Sequence, residues 1–188
     1  MGPVGSANWH LMLDAAETTL REEGYAALTS RRIAERVNVK QRLIYYYFQT
    51  MDELIVETFR RMAIRELERM RATLTTHMPL RELWDVCIHT TDSRVTSEFM
   101  ALAYRSESLR LEVVRFIEDS RALQVKAICR SLARTNAVAP LDPDGLALLA
   151  IGVSLAITRE HALGISSGHA AILAMIQTFL DRVEPLAS

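Results

Sequence analysis

The segment Ala34–Phe48, AERVNVKQRLIYYYF, constrains the fold of this chain more than any other stretch. Ala34 is small where two helices would touch, and Ile44 can supply the apolar contact between them. Asn38 lies at the bend, and Asn is one of the few residues other than Gly that tolerate a positive φ. The spacing therefore predicts two short helices joined by a tight turn, the layout of a helix-turn-helix.

The second of these helices carries donors and aromatic rings. Lys40, Gln41 and Arg42 precede three consecutive tyrosines, Tyr45, Tyr46 and Tyr47. The net charge of −1 does not exclude nucleic acid, because a local basic face can supply phosphate contacts. Between positions 29 and 50 a single acid accompanies five cations: Glu35 with Arg31, Arg32, Arg36, Lys40 and Arg42. We interpret this helix as the element that enters the DNA major groove. A solvated charged face and tyrosines packed on the next helix are the alternatives.

Composition indicates a cytoplasmic globular protein. Of the 188 residues 49% are hydrophobic, and no run of about 18 uncharged apolar residues predicts a membrane span. Cys87 and Cys129 form no CxxC pair, so reduced thiols are expected. Residues 1–7 are expected to lie outside the fold.

Helical spacing of apolar residues extends along the whole chain, and no strand-like alternation of useful length occurs. We predict an all-α protein of about nine helices, over residues 9–23, 30–37, 41–47, 52–76, 80–94, 96–105, 108–135, 143–163 and 168–184. Thr29 or Ser30 can cap the second helix and Thr50 the fourth. The predicted domains are an N-terminal three-helix DNA-binding domain, residues 8–50, and a C-terminal helical ligand-binding and dimerisation domain, residues 51–188.

The last two predicted helices are apolar around most of their circumference and need cover on more than one side. We expect a second copy of the chain to cover one side in a four-helix interface. The alternative is a central position within a monomer. The predicted dimerisation residues are Ile151, Leu155, Ile172, Met175 and Phe179.

The middle helices carry a stripe of aromatic, Met and sparse polar residues that suits an apolar ligand cavity. Ser120 and Gln124 are the preferred polar contacts, and an apolar or aromatic small molecule is the predicted ligand class. Plain core packing is the alternative. The predicted ligand-binding residues are Trp84, Cys87, Thr91, Phe99, Met100, Tyr104, Phe116, Ser120 and Gln124.

Catalytic and cofactor motifs are not visible in the sequence. The five histidines show no metal-ligand spacing with carboxylates or thiols. No nucleophile elbow surrounds a serine, and no glycine loop is built to cradle phosphate. We therefore expect neither an enzyme nor a metal or cofactor site.

The stretch from about Leu11 to Leu54 resembles the TetR family of transcriptional regulators. Three features carry the resemblance in order: AAETTLREEGY, then LTSRRIAERVNV, then LIYYYF followed by the DEL of Asp52–Leu54. The rest of the chain resembles the family in helical layout and in the EHALGISSGH stretch.

The resemblance implies a homodimer that binds a palindromic double-stranded operator, usually as a repressor released by a small-molecule effector. Thr29, Tyr45 and Tyr47 match phosphate-contacting positions, and Phe48 matches a buried aromatic. The positions placed to reach base edges are Lys40, Gln41, Arg42 and Tyr46. A ligand-independent DNA-binding protein or activator, and a small-molecule carrier with a vestigial DNA-binding head, are the alternative functions.

Three positions depart from the family pattern. Asn38 stands where Gly is most frequent, and Arg42 stands where a small residue is common. Met51 replaces the usual lysine at the start of the fourth helix, which removes one phosphate contact. Arg31, Arg32 or Lys40 are the candidates to compensate for it.

Overall fold

The computed structural model describes residues 3–89, 93–135 and 142–186, and within these ranges the chain is helical without strands. The predicted all-α class and helix order are confirmed. The helices are α1 (Ala7–Glu23), α2 (Ser30–Arg36), α3 (Gln41–Tyr47), α4 (Met51–Thr73), α5 (Pro79–His89), α6 (Ser93–Ala103), α7 (Glu107–Thr135), α8 (Pro143–Ala162) and α9 (His169–Val183).

Side-chain caps begin several of these helices. The Thr29 hydroxyl accepts the backbone N–H of Arg32 at 3.1 Å and starts α2. Asp142 caps α8 in the same way through Gly145. At the other end of the chain Ser6 caps α1, which begins at Ala7. The expectation that residues 1–7 lie outside the fold is therefore wrong for these two residues, since a single serine is enough to start the helix.

The fourth helix ends earlier than its apolar pattern predicts. It stops at Thr73, and the Thr73, Thr75 and Thr76 hydroxyls each donate to the backbone carbonyl three residues earlier. Such side-chain bonds offer the backbone an alternative to further helical turns. The cluster of threonines thus ends α4 before Pro79.

The chain divides into two compact units. The first comprises residues up to Arg65 together with Arg94–Arg115, and the second comprises Glu66–Ser93 and Phe116–Ser188. Since α4 and α7 each contribute residues to both units, the division differs in outline from the predicted domains. The domain boundaries at 50 and 51 stay a prediction.

The first unit has a core built mainly from α1 and the helices that follow it. Two aromatic pairs lie within it: Trp9 stacks on Phe48 at 6.2 Å between ring centroids, and Phe59 meets Phe99 edge-on at 5.1 Å. Fully buried aliphatic residues surround these pairs: Met12, Leu13, Leu20, Ile33, Ile44, Leu54 and Leu109. This packing fixes the short helices α2 and α3 on α1.

The second unit is held at one end by a buried carboxylate. Glu184, just after α9, is 5% exposed. Its carboxylate accepts the backbone N–H groups of Leu80 and Arg81 at 3.0 and 2.9 Å, and the Ser131 hydroxyl at 2.5 Å. It therefore caps the N-terminus of α5 from about a hundred residues away and ties α9 to α5 and α7. The apolar core next to it contains Leu67, Met70, Leu83 and Ala127.

The helix α8 is the one described helix whose length and composition suffice to cross a membrane. It has 20 residues and contains an 18-residue window with a mean hydropathy of 1.2, and 17% of that window is buried. The sequence criterion of an uncharged run excluded it, because Asp144 and Arg159 lie near its two ends. Few of its side chains are thus fully buried within a single chain.

Candidate nucleic-acid interface

The turn between α2 and α3 has the geometry that the sequence predicts. Asn38 has φ of 53°, the one positive value among the described residues other than Gly. Ala34 and Ile44 are 4% and 1% exposed, and the Val39 N–H donates to the Ala34 carbonyl at 2.9 Å. The predicted helix-turn-helix is confirmed, with α3 presented at the end of a tight turn.

The far end of α3 is anchored in the interior. Phe48 is 1% exposed and stacks on Trp9. Tyr47, one residue earlier, is 7% exposed, and its ring meets that of Tyr46 edge-on at 5.4 Å. Of the three tyrosines, Tyr47 therefore has the least surface facing solvent. Its predicted phosphate contact stays a prediction.

The N-terminal end of α3 and the face that carries Tyr45 and Tyr46 are exposed to solvent. Lys40, Gln41 and Arg42 are exposed, and Tyr45 and Tyr46 are 48% and 50% exposed. On this side an open, mostly apolar groove is lined by Arg42, Leu43 and Tyr46. The groove places a guanidinium beside apolar carbon, a combination that can meet a guanine edge next to a thymine methyl group.

The positive charges of α2 are less available to a binding partner than their number in the sequence suggests. Arg32 forms a bidentate pair with Glu23, and Arg36 lies 2.5 Å from both Glu22 and Glu23. Hydrogen bonds from Arg32 and Arg36 lower the pKa of Glu23, and the same carboxylates raise the pKa of Arg36. The end of α1 thus neutralises two of the five cations counted in the sequence.

The remaining cations differ in their surroundings. Arg31 pairs with Glu35 at 2.9 Å, one helical turn away, with its side chain 82% exposed. Such a pair contributes only about 0.3–0.5 kcal/mol, so it yields easily to a stronger anion. Within the described ranges Lys40 and Arg42 have no ion pair. The positive charge open to a partner is therefore concentrated at the start of α3.

The buried hydroxyl of Ser30, predicted only as a possible helix cap and not as a site residue, joins α2 to α3. The Ser30 Oγ accepts the Gln41 side-chain N–H at 2.7 Å and lies 3.0 Å from the Tyr45 hydroxyl. Ser30 is 5% exposed and shares the buried face of α2 with Ile33 and Ala34. That spacing of three and four residues is visible in the sequence and could have identified it.

The start of α4 is fixed to the α6–α7 turn within the first unit. The Thr50 hydroxyl accepts the Glu53 N–H at 3.1 Å, which confirms the predicted cap. Asp52 accepts the hydroxyls of Ser106 and Ser108 at 2.7 and 2.5 Å. Met51, at the position where the TetR pattern usually has lysine, is partly exposed.

Comparison with known proteins agrees with this geometry. Residues 12–58 match the model of the family described as bacterial regulatory proteins, tetR family. Residues 12–58 thus form a helix-turn-helix domain of the TetR family of transcriptional regulators. An HTH-type transcriptional regulator in the dhlA 5′ region of Xanthobacter autotrophicus is 29% identical over 181 residues, which cover 88% of this chain and 82% of the relative.

Solved structures share the TetR-family fold. A TetR transcription regulator from Haloarcula marismortui has a TM-score of 0.75 at 17% identity, over 93% of this chain and 95% of that one. A transcriptional regulator from Saccharomonospora viridis in complex with choline also has a TM-score of 0.75 at 17% identity, over 84% of this chain and 86% of that one. The match of residues 12–58 to this family of regulators supports DNA binding through the helix-turn-helix.

The predicted ligand-binding residues fall in both units. Phe99, Met100 and Tyr104 belong to the first unit, where Tyr104 is 91% exposed. Thr91 lies outside the described residues. The other predicted residues belong to the second unit: Trp84, Cys87, Phe116, Ser120 and Gln124.

Within the second unit the polar members differ in their partners. The Ser120 hydroxyl donates to the Ile117 carbonyl at 3.0 Å, so its proton is already used. Gln124 is 5% exposed, and its Oε1 is buried without a hydrogen-bond partner among the described residues. Burial, with a smaller contribution from Glu66, raises the pKa of the Cys87 thiol to about 11, so this thiol stays protonated.

The predicted dimerisation residues lie on the two apolar helices that end the chain. Leu155 and Met175 are 39% and 54% exposed, whereas Ile151, Ile172 and Phe179 are partly buried. Further exposed apolar side chains lie on the same helices: Leu148, Leu149 and Leu173.

Proposed function

We propose that this TetR-family regulator is a cytoplasmic homodimeric repressor that a small molecule releases from a palindromic operator. The observation that carries the proposal is the start of α3, where exposed Lys40 and Arg42 have no ion pair among the described residues. The neighbouring cations on α2 are neutralised by Glu22 and Glu23. Specific contacts therefore fall on α3 rather than on a broad basic face.

Each side chain on α3 has a role suited to its chemistry. Arg42 binds guanine O6 and N7 with two hydrogen bonds, and Gln41 reads an adenine edge. Tyr46, beside Arg42 in the groove, contacts a thymine methyl group. Lys40 lies at the start of the helix, where it reaches a base edge or a phosphate. Thr29, Arg31, Tyr45 and Tyr47 contact the phosphates that set the register of the helix on DNA.

The dimer is supported by the uncovered apolar surface of α8 and α9. Leu148, Gly152 and Leu155 follow one another at spacings of four and three residues, so they lie on one face of α8. Around Gly152 the space is open, since a Cβ added there would meet nothing within 4 Å. A helix of a second copy can approach closely at this point. Two copies place two α3 helices in half-sites roughly 34–36 Å apart.

The effector site is supported by Gln124. A buried acceptor without a donor costs about 1–3 kcal/mol, and a ligand that supplies the donor recovers this energy. The second unit also contains the partly buried apolar side chains Phe116 and Leu123, which pack against its core cluster. We infer an effector with an apolar or aromatic body and one O–H or N–H donor. The choline complex of the Saccharomonospora viridis regulator supports small-molecule binding by this fold.

Release requires that the effector bind the DNA-incompetent state better than the competent one. The helices α4 and α7 contribute residues to both units, so either can carry a change from Gln124 to the helix-turn-helix. A change in the tilt of α4 moves the two α3 helices out of successive major grooves.

Selection of duplexes from a random-sequence library, followed by footprinting on the best sequence, tests the DNA part of the proposal. We expect an inverted repeat protected on both half-sites, and recovery of unrelated sequences would contradict it. Release is then measured with phenols and anilines and with their O-methyl and N,N-dimethyl derivatives, which lack the donor. Only the donors should release the wild-type protein from DNA.

A substitution at Gln124 separates the effector role from core packing. Gln124→Leu removes the unpaired acceptor, so it should raise the free energy of unfolding of the ligand-free protein by about 1 kcal/mol and abolish release by the donors. Gln177→Leu is the control, because that exposed amide donates to Asp181 at 2.9 Å. Loss of stability at Gln124 together with unchanged release would contradict the assignment.

A further inference from the structure

The Ser30 hydroxyl lies between two side chains of α3 that face DNA in the proposed complex. Its Oγ is 2.7 Å from Gln41 Nε2 and 3.0 Å from the Tyr45 Oη. Ser30 is 5% exposed, whereas Tyr45 is 48% exposed. A buried group on α2 thus holds two exposed side chains of α3.

The chemistry of the three groups sets the direction of these hydrogen bonds. An amide N–H only donates, so Ser30 Oγ is the acceptor from Gln41. The Ser30 proton has no other acceptor among the described residues than the Tyr45 oxygen. If Tyr45 donated instead, a buried hydroxyl proton would be left unpaired, which is costly. The order that pairs every buried proton is Gln41 to Ser30 to Tyr45.

This order leaves the Tyr45 proton directed away from Ser30. A hydroxyl that accepts one hydrogen bond becomes a stronger donor, since bonds in a chain polarise one another. The best acceptor for a phenolic proton on a DNA-facing helix is a phosphate oxygen. Hydrogen bonds to a charged group are shorter and stronger than bonds between neutral groups.

We propose that Ser30 is a positioning residue for DNA binding: it orients the Tyr45 hydroxyl so that its proton points at a backbone phosphate. The inference rests on the proposed phosphate contact of Tyr45. It goes beyond that contact in assigning a function to a buried residue that need not touch DNA itself. Through the same hydroxyl, Gln41 and Tyr45 are energetically coupled.

A neighbouring tyrosine provides the matched control. Tyr46 is 50% exposed, close to the 48% of Tyr45, and lies on the same helix. Its ring contacts Tyr47 edge-on, and no hydrogen bond joins it to Ser30. Removal of its hydroxyl should therefore be independent of Ser30.

The test is a double-mutant cycle on binding to the duplex that the wild-type protein selects from the random library. We expect Tyr45→Phe to weaken binding about tenfold in the wild-type background and about twofold or less in the Ser30→Ala background. The effects of Tyr46→Phe and Ser30→Ala on binding should be independent, so that their fold-changes multiply in the double variant. In a Ser30→Thr background, which retains the hydroxyl, Tyr45→Phe should weaken binding as much as it does in the wild-type background.

The outcomes separate the inference from the function on which it rests. Equal loss from Tyr45→Phe in both backgrounds would overturn the role of Ser30 while the operator and its recognition stand. Unchanged DNA binding by the Tyr45→Phe variant would also overturn the role of Ser30. If the wild-type protein selects no preferred duplex, the proposed function itself fails. Gln41 is exposed, so Gln41→Met should leave the core intact. If Ser30→Ala does not fold, the coupling between Gln41→Met and Tyr45→Phe provides the test in its place.

Discussion

Arg32 and Glu23 form a bidentate ion pair that joins α2 to the C-terminal end of α1, with Arg32 Nη2 2.7 Å from Glu23 Oε1. The same carboxylate also contacts Arg36. The pair bridges α1 and α2 and withdraws positive charge from the surface next to α3. It also explains how a basic sequence segment gives a restricted cationic surface.

Glu23→Gln should release this charge to DNA. We expect the logarithm of the binding constant to fall more steeply with the logarithm of salt concentration, by roughly 0.9 for each phosphate newly contacted. The slope is measured by titration of a non-specific duplex at several salt concentrations. Glu107→Gln is the control, since Glu107 pairs with Arg110 at 2.6 Å and the variant changes the net charge equally. Equal slopes for the two variants would contradict the prediction.

At the turn residue Asn38, replacement by Gly should preserve stability and replacement by Ala should lower it. With φ of 53°, Asn38→Ala places a Cβ in the left-handed region and should lower the free energy of unfolding by about 1 kcal/mol. Asn38→Gly should change it by about 0.5 kcal/mol or less. Urea unfolding of both variants measures the difference. If Ala and Gly are equivalent, the turn does not depend on this dihedral angle.

Several features of the fold and the site were predictable from sequence because they are local. The bounds of α3, the turn at Asn38 and the caps at Thr29 and Thr50 depend on residues within a few positions of one another. The pairing of Arg32 with Glu23 and the capping of α5 by Glu184 depend on packing between distant segments. No periodicity encodes such contacts.

Leu155 is expected to lie in the dimer interface. Leu155→Glu places a charge on an apolar surface and should weaken the dimer about tenfold or more, because the carboxylate must be desolvated on association. Leu155 is 39% exposed in the single chain, so the fold itself should survive. Sedimentation equilibrium measures the dimer dissociation constant. Leu111→Glu is the control on α7, where Leu111 is 51% exposed; equal weakening by both variants would contradict the assignment of α8 and α9.

Glu17 should make stability depend on pH in the acid range. Burial raises the pKa of Glu17, but the hydrogen bonds and charges of Arg65 and Arg21 outweigh this effect, so its pKa lies below 4.5. A lowered folded-state pKa contributes stability above the unfolded-state value and loses it as the pH falls through the folded-state value. Glu17→Gln should therefore lower the free energy of unfolding at pH 7 by about 1 kcal/mol at most.

The same comparison at pH 3 completes the test of Glu17. The difference between wild type and Glu17→Gln should shrink there, since pH 3 lies below the unfolded-state pKa of 4.5 and the ionised carboxylate then contributes less to stability. Urea unfolding at both pH values measures it. Glu118→Gln, which removes an exposed acid on α7, is the control for the change in net charge. A deficit of the same size at pH 7 and pH 3 would show that packing, not charge, accounts for the role of Glu17.

Parallel selections from one random-sequence library with wild-type protein and with Arg42→Ala test base recognition by Arg42 most directly. We expect the variant to lose the preference for guanine at one position of each half-site and to bind the wild-type sequence about tenfold or more weakly. Arg32→Ala, at a cation paired with Glu23, should retain that preference. An Arg42→Ala protein that selects the same sequence with unchanged affinity would contradict the assignment of base recognition to α3.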